Sequence, residues 1–209
     1  MLVTVEGVEG SGKSTQCAKL AESLRGRGLD VVLTREPDGT ALGAAVRGLF
    51  EVDGPPPTPL TQAFLFMAAR QQHVAEVIRP ALSRGEIVLS DRYADATLAY
   101  QGFGQGVALD TIRDLNLLAT GGLLPDLTLV LDLEPAIGMA RIRGRALDAF
   151  EKMDLAFHRR VREGYLEIAR MDKPRVVVLG ADQGEAALFD AMVAAVDERL
   201  ARREALRVG

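Results

Sequence analysis

The sequence predicts an α/β chain: a doubly wound, five-stranded parallel sheet with helices on both faces. Three observations predict it. Five short apolar runs, at 2–6, 31–34, 87–90, 127–131 and 176–179, read as buried strands. They are continuously apolar rather than alternating, the pattern of parallel strands covered on both faces. Helical patterns lie between them, and strand alternating with helix builds a parallel sheet by right-handed crossovers. The third observation is the run Gly7, Val8, Glu9, Gly10, Ser11, Gly12, Lys13, Ser14, which matches G-x-x-x-x-G-K-S/T and stands between the first strand and the first helix.

The elements follow in order. Cys17, Leu20, Ala21 and Leu24 recur at helical spacing and predict a helix over 15–27. Further helical stretches are expected near 41–52, 59–84, 107–120, 135–146, 149–171 and 184–203. The last carries a stripe of Leu188, Met192, Ala195 and Val196. The proline-rich stretch at 53–59 is too short to divide domains and reads as a stiff helix-to-helix turn. No internal repeat is visible, so residues 1–209 are expected to form a single domain.

Composition sets bounds on function. The 209 residues are 48% hydrophobic, enough for a large core, and the net charge is −4, which gives no support to nucleic-acid or membrane-surface binding. Cys17 is the only cysteine, which excludes an intrachain disulfide and a cysteine-rich zinc site; it reads as a small packing residue. His73 and His158 fit neither a metal site nor a catalytic pair. No apolar stretch approaches the ~20 residues of a membrane span. The N-terminus runs directly into a strand without a basic-then-apolar leader, so a cytoplasmic location is expected.

The glycine-rich run is a phosphate cradle in its proper setting. Backbone N–H groups from Gly7 to Thr15 and the helix N-terminus face the phosphates of a nucleoside triphosphate. Lys13 reaches the β/γ oxygens and the Ser14 hydroxyl can hold Mg²⁺. In open parallel sheets ligands sit beyond the carboxyl ends of the strands. The second strand ends in Thr34-Arg35-Glu36-Pro37-Asp38 and the third in Ser90-Asp91-Arg92-Tyr93. An aspartate beside a phosphate cradle can hold the metal's shell or orient a nucleophilic oxygen, and an arginine can grip a phosphate bidentately. Asp132 and Glu134 after the fourth strand read as solvated acids in a loop before a helix.

Taken together, these motifs resemble the bacterial thymidylate kinases. The matching pieces are residues 6–14, Thr34-Arg35-Glu36-Pro37, the segment from Phe66 to Arg70, Asp91-Arg92-Tyr93, Ala99-Tyr100-Gln101-Gly102 and Pro125-Asp126-Leu127-Thr128. They fall in family order as far as Tyr165. The cradle alone is shared by very many proteins; Thr-Arg-Glu-Pro, Asp-Arg-Tyr and Ala-Tyr-Gln-Gly together are far more specific. The resemblance implies phosphorylation of dTMP to dTDP with ATP and Mg²⁺ on a P-loop kinase fold, by a chain that forms homodimers. It implies that Phe66 stacks on thymine and Arg70 hydrogen-bonds the base. On a helix these two are i,i+4 and share a face. Tyr100 would lie along the deoxyribose, Arg35 and Arg92 would clamp the dTMP phosphate, and Glu9 would contact the 3′-hydroxyl. Thr97 and Gln101 match positions near the base, and Ser14 with Asp91 would serve the metal.

The resemblance also implies a flexible lid, about 141–152, closing over ATP. The cradle's variable positions Val8, Glu9, Gly10 and Ser11 bring no arginine, so transition-state charge is expected from the lid's Arg141, Arg143 and Arg145. On helical spacing Arg141 and Arg145 share a face and form the favoured pair, with Arg143 placed toward ATP. Arg159, Arg160 and Arg162 read as a solvated basic face. Three departures stand beside the matches. Asp38 replaces the usual glycine and would tolerate a left-handed turn, Ala149 removes a lid arginine, and Ala96-Thr97 replaces a pair of hydroxyl residues. Two other functions compete: a P-loop kinase for another nucleoside monophosphate, and a non-catalytic switch protein. A guanine-binding switch would need Asn-Lys-x-Asp after a late strand, which the chain lacks.

Overall fold

The computed structural model describes residues 1–52, 54–144 and 146–208. β1 (Leu2–Gly7) leads through the cradle into α1 (Lys13–Gly26), and β2 (Val31–Arg35) is followed by α2 (Ala41–Gly48). Thr58 caps α3 (Pro59–His73), its hydroxyl accepting from the Thr61 N–H, with Pro59 in the first turn where its missing N–H costs nothing. α3 does not run unbroken to 84 as its periodicity predicts. It widens into a π-helical turn, Val74–Ile78, and resumes as α4 (Arg79–Ser83). Pro80 is the physical reason: it lacks the N–H for an i→i−4 bond and its ring crowds the carbonyl four residues back.

β3 (Ile87–Asp91) is followed by α5 (Ala94–Thr97), which continues in π geometry over Leu98–Gly104. The sequence reading has no helix here; the segment is short and holds Gly102 and Gly104. α6 (Leu109–Thr120), β4 (Leu127–Asp132), α7 (Pro135–Arg141), α8 (Leu155–Met171), β5 (Val176–Gly180) and α9 (Glu185–Val208) complete the described chain. Other helices are also shorter than expected: α2 stops at Gly48 rather than 52, α7 stops at Arg141 rather than 146, and α8 starts at 155 rather than 149.

All strands are parallel, in the order β2-β3-β1-β4-β5. Core side chains lie on both faces. Val3, Val5 and Leu89 pack with Cys17, Leu20 and Leu24 of α1, whereas Leu2 and Val88 pack with Val74, Ile78 and Ala81. β1 and β3 are buried throughout and β4 up to its last residue. The edge strands β2 and β5 depart from the two-faced expectation, because Leu33 and Val178 are about two-fifths exposed. Among the described residues no helix is long and apolar enough to cross a membrane. The parallel arrangement brings the ends of β1, β2, β3 and β4 to one edge, where the functional side chains collect.

Candidate active site

The phosphate cradle is held shut by close backbone packing. A Cβ on Gly10 would stand 2.2 Å from the Gly138 carbonyl oxygen, and one on Gly138 would stand 2.1 Å from that of Glu9. Only hydrogen fits at either position, so the cradle lies directly on the backbone of α7. Lys13 Nζ donates to the Val8 carbonyl at 2.9 Å, curling over the loop. Burial and the Arg92 cation push the Lys13 ammonium below its ordinary value, while Glu9 and Asp91 act to raise it. Ser14 Oγ donates to Asp91 Oδ2 at 2.5 Å, joining the first turn of α1 to the end of β3.

Arg92 is the only non-glycine residue with positive φ (73°) among those described. Left-handed geometry at an arginine costs about 1–3 kcal/mol and persists only where the surroundings enforce it. Here they do. The Arg92 N–H bonds the Val5 carbonyl at 3.0 Å, and its own carbonyl accepts from Ser90 Oγ at 2.7 Å. The guanidinium is turned back over the cradle, donating to Glu9 Oε1 at 2.7 Å, Tyr100 Oη at 3.0 Å and the Gly7 carbonyl at 3.3 Å. It also lies 4.7 Å from the centre of the Tyr100 ring, a cation–π contact. Tyr100 Oη donates to the same Glu9 oxygen at 2.5 Å. Burial opposes charge on Glu9, yet Arg92, Lys13 and the Tyr100 hydroxyl hold its carboxyl down to about 2. Beneath this knot Glu6, fully buried, accepts from the Tyr93 N–H at 2.7 Å and from Tyr165 Oη at 2.8 Å. Burial, with Asp95 adding to it, pushes the Glu6 carboxyl up to about 8.

A cavity of about 470 Å³ runs from the cradle to α3. Gly10, Gly12, Lys13, Ser14, Thr15 and Asp91 line its cradle side; Arg35, Phe66, Arg70, Thr97, Tyr100 and Gln101 line the other, with Glu9 and Arg92 between. The sequence-predicted residues of both halves therefore meet in one space. Gly7, Val8 and Ser11 belong to the loop's inner side. Val8 and Ser11 are buried, and Ser11 Oγ donates to the Val8 carbonyl at 2.8 Å.

Two of these residues are more constrained than sequence suggests. Arg70 is 2% exposed and most of its N–H groups have acceptors in the chain: Glu36 from Nε, Tyr93 O from Nη2, and Thr97 Oγ1 and Asn116 Oδ1 from Nη1, with Nη2 also ion-paired to Glu36. Phe66 stacks on Phe50 at 5.1 Å between centroids and 5° between planes. Asp38 bonds both Arg35 (3.3 Å) and Arg47 (3.2 Å), so this departure anchors two arginines of the cavity wall, and it needs no left-handed backbone to do so. His73 is buried, between Thr34 Oγ1 at 2.7 Å and Glu36 Oε1 at 3.2 Å, in keeping with a packing role. The sequence reading missed Arg47, Phe50 and Phe150, which also line the cavity. Only Phe150 carried a signal: Asp148 and Glu151 flank it at capping-box spacing.

The basic residues of 141–162 differ from expectation. α7 ends at Arg141, and Arg145, its expected partner, lies outside the described residues. Arg141 donates to the carbonyls of Gly10 (3.2 Å) and Ala181 (3.1 Å), whereas Arg143 is exposed. Arg162 is no solvated cation: it grips Asp132 at 2.7 and 3.0 Å and Glu134 at 2.6 Å, tying α8 to the end of β4. Arg159 reaches Glu134 at 3.4 Å, and Arg160 donates to the Gly104 carbonyl at 3.0 Å. Asp132 and Glu134 are thus the anchors of Arg162 and Arg159 rather than free acids.

Known proteins bear on the identity of this cavity. A family model described as Thymidylate kinase matches residues 5–191. The thymidylate kinase of Deinococcus radiodurans is 48% identical over 200 residues, covering 95% of this chain and 97% of that relative. A Synechococcus thymidylate kinase is 47% identical, covering 96% of each. The crystal structure of thymidylate kinase from Ehrlichia chaffeensis superimposes with a TM-score of 0.77 at 33% identity, covering 94% of this chain and 98% of that one. With the cradle, the Arg92 knot and the aromatic pocket in one cavity, and this likeness extending over nearly the whole length, the chain belongs to the thymidylate kinase family of nucleoside monophosphate kinases.

Proposed function

We propose that the chain catalyses ATP + dTMP → ADP + dTDP, acting as a single cytoplasmic P-loop domain that assembles as a homodimer. The observation that carries the reading is the shared cavity, in which Lys13 and Ser14 stand at one end and Phe66 and Arg70 at the other. A dTMP phosphate oxygen attacks the γ-phosphorus in line, the bond to the β–γ bridging oxygen breaks, and ADP leaves; no covalent enzyme intermediate forms. The chain's contribution is positioning and charge.

Lys13 neutralises the β/γ oxygens. Arg92 and Arg35 hold the dTMP phosphate, Arg92 aimed by Glu9 and the Tyr100 ring. Tyr100 with Glu9 fills the space beside the sugar, and Thr97 and Gln101 border the base. Arg70 acts through the pocket it organises. Because most of its donors already have acceptors, contact with thymine draws on an N–H that is shared with, or transferred from, a present partner such as Thr97 or Asn116. Ser14 Oγ and the Asp91 carboxylate would hold Mg²⁺, which supplies charge neutralisation on the phosphates. One hydroxyl and one carboxylate beside a phosphate cradle suit an ion that keeps its waters and takes its other ligands from nucleotide. No cluster of three acidic, histidine or cysteine ligands occurs among the described residues, so the donor set is that of a nucleotide-borne ion.

For the homodimer, support comes from α3 and α6, which pack together through Ala63, Met67, Ile112 and Ala119 while exposing Leu60, Phe64, Leu117 and Leu118. The deciding experiment supplies dTMP, dUMP, UMP, CMP and AMP in turn with ATP and Mg²⁺ and follows ADP. dTMP is expected to give the highest kcat/KM, and Lys13→Ala to lower turnover by orders of magnitude. Faster turnover of AMP or UMP would reject the substrate and leave the kinase class intact.

A further inference from the structure

The turn at 148–151 is built to hold one ring. Asp148 Oδ1 accepts from the N–H groups of Phe150 and Glu151, both at 2.9 Å, and the Asp148 N–H donates to Glu151 Oε2 at 3.0 Å. This is the reciprocal bonding of a capping box, and the Lys152 N–H closes the turn onto the Asp148 carbonyl at 3.2 Å. No long helix follows directly, since α8 begins at Leu155 under its own Asp154 cap. The box therefore fixes a short turn, and what the turn presents is Phe150.

The Phe150 ring reaches into the acceptor half of the cavity. Its centroid lies 5.6 Å from that of Phe50, 5.9 Å from Phe66 and 5.9 Å from Tyr100, edge-on to the last at 87°. Four elements thus each give one aromatic side chain to a single cluster: the end of α2, α3, the π segment after α5, and the 148–151 turn. Phe50 already stacks on Phe66. Phe150, tilted 42° to Phe66, stands on a turn held by its own backbone bonds and by a 4.0 Å approach of Asp148 to Arg47. A planar base entering here adds a π face to a tilted cluster, the geometry in which aromatic rings attract.

We propose that Phe150 is an acceptor-binding residue: a pyrimidine base bound at Phe66 packs against its ring and thereby holds the 148–151 turn closed, before any donor nucleotide is present. The inference rests on the reading of Phe66 as the base site. It assigns to a segment expected to cover ATP a contact with the other substrate, and makes occupancy of the acceptor site favour closure.

The test uses the full-length chain. Phe150→Ala is expected to raise KM for dTMP about tenfold while the ATP dissociation constant, measured calorimetrically without dTMP, stays as in wild type; Phe150→Tyr restores the wild-type KM. Trypsin gives a second readout. dTMP alone should slow cleavage after Lys152 in wild type and in Phe150→Tyr, but not in Phe150→Ala. Equal weakening of ATP and dTMP, or wild-type protection by ATP only, would overturn the proposal. Phe66→Ala separates the two levels. If it binds dTMP as wild type does, the base-site reading itself fails. If it loses dTMP while Phe150→Ala does not, only the role of Phe150 fails.

Discussion

The Arg70 guanidinium donates from Nε to Glu36 Oε2 at 2.9 Å and brings Nη2 within 2.7 Å of the same oxygen as an ion pair, with both side chains at 5% exposure or less. Such a pair is worth little against apolar packing but costly to break from one side, because the survivor remains buried and charged. Glu36 also meets His73, so Arg70 is the centre of a polar core beneath the acceptor pocket.

Arg70→Ala is therefore expected to destabilise the fold by about 3–5 kcal/mol, as well as to weaken dTMP binding. Denaturant unfolding of Arg70→Ala, Glu36→Gln and the double variant checks this. The double variant should lose much less than the sum of the singles. An unfolding midpoint unchanged in Arg70→Ala would show that the network carries no stability.

Glu6 makes a prediction in pH. Between the usual carboxyl value of 4.5 and about 8, the folded chain keeps a proton that the unfolded chain releases. Its contribution is complete below 4.5 and is lost as pH rises through about 8. Glu6→Gln, which keeps an acceptor for the Tyr93 N–H, should flatten the fall in stability across that window. Glu9 runs the other way: held down to about 2, its contribution is present above 4.5 and lost as pH falls through 2. Unfolding midpoints of wild type and Glu6→Gln from pH 5 to 9 decide the first point; parallel curves would refute it.

The arginines of 141–145 should separate by phenotype. Arg141 holds the Gly10 carbonyl, so Arg141→Ala is expected to raise KM for ATP. Arg143 lies just past the end of α7 and is exposed, and Arg143→Ala should lower kcat on the order of a hundredfold with dTMP binding unchanged, the mark of an interaction made in the transition state. Steady-state kinetics on both variants is sufficient. Wild-type kcat in Arg143→Ala would remove that residue from the chemistry.

For assembly, Phe64→Asp is expected to convert a dimer to a monomer in sedimentation equilibrium, since Phe64 is 53% exposed on a helix with nothing in its own chain to cover it fully. A wild-type monomer at micromolar concentration would refute the homodimer.

Much of this was legible in the sequence, for definite physical reasons. Each of the five apolar runs lies within an observed strand, and in β1, β3 and β4 the run is continuous because both faces are covered. The cradle is legible because its glycines, its lysine and a hydroxyl residue stand at fixed spacing between a strand and a helix. The losses are equally specific. Pro80 breaks the long helix, yet a helical pattern on both sides hides it. The segment from Ala94 to Gly104 is too short and glycine-rich to show a period. Arg162 reads as solvated because its partners, Asp132 and Glu134, lie on another element. Phe50 and Phe150 fall in stretches read as helix, 41–52 and 149–171, yet lie outside α2 and α8, and only the folded chain brings their rings together.

The strand order also governs how the chain comes into being. β1, made before both of its neighbours, lies at the centre of the sheet, with Leu2 opposite Val88 and Val3 opposite Leu127. Until β3 and then β4 have been synthesised, β1 has neither neighbour, and its apolar side chains have no sheet to join. At about 5–20 residues per second the wait for β4 lasts roughly 6–25 seconds. Closing such distant pairings carries a loop-entropy cost before any contact repays it. Sheet formation around β1 thus waits on distant segments, and the nascent β1 is a segment that chaperones have reason to shield.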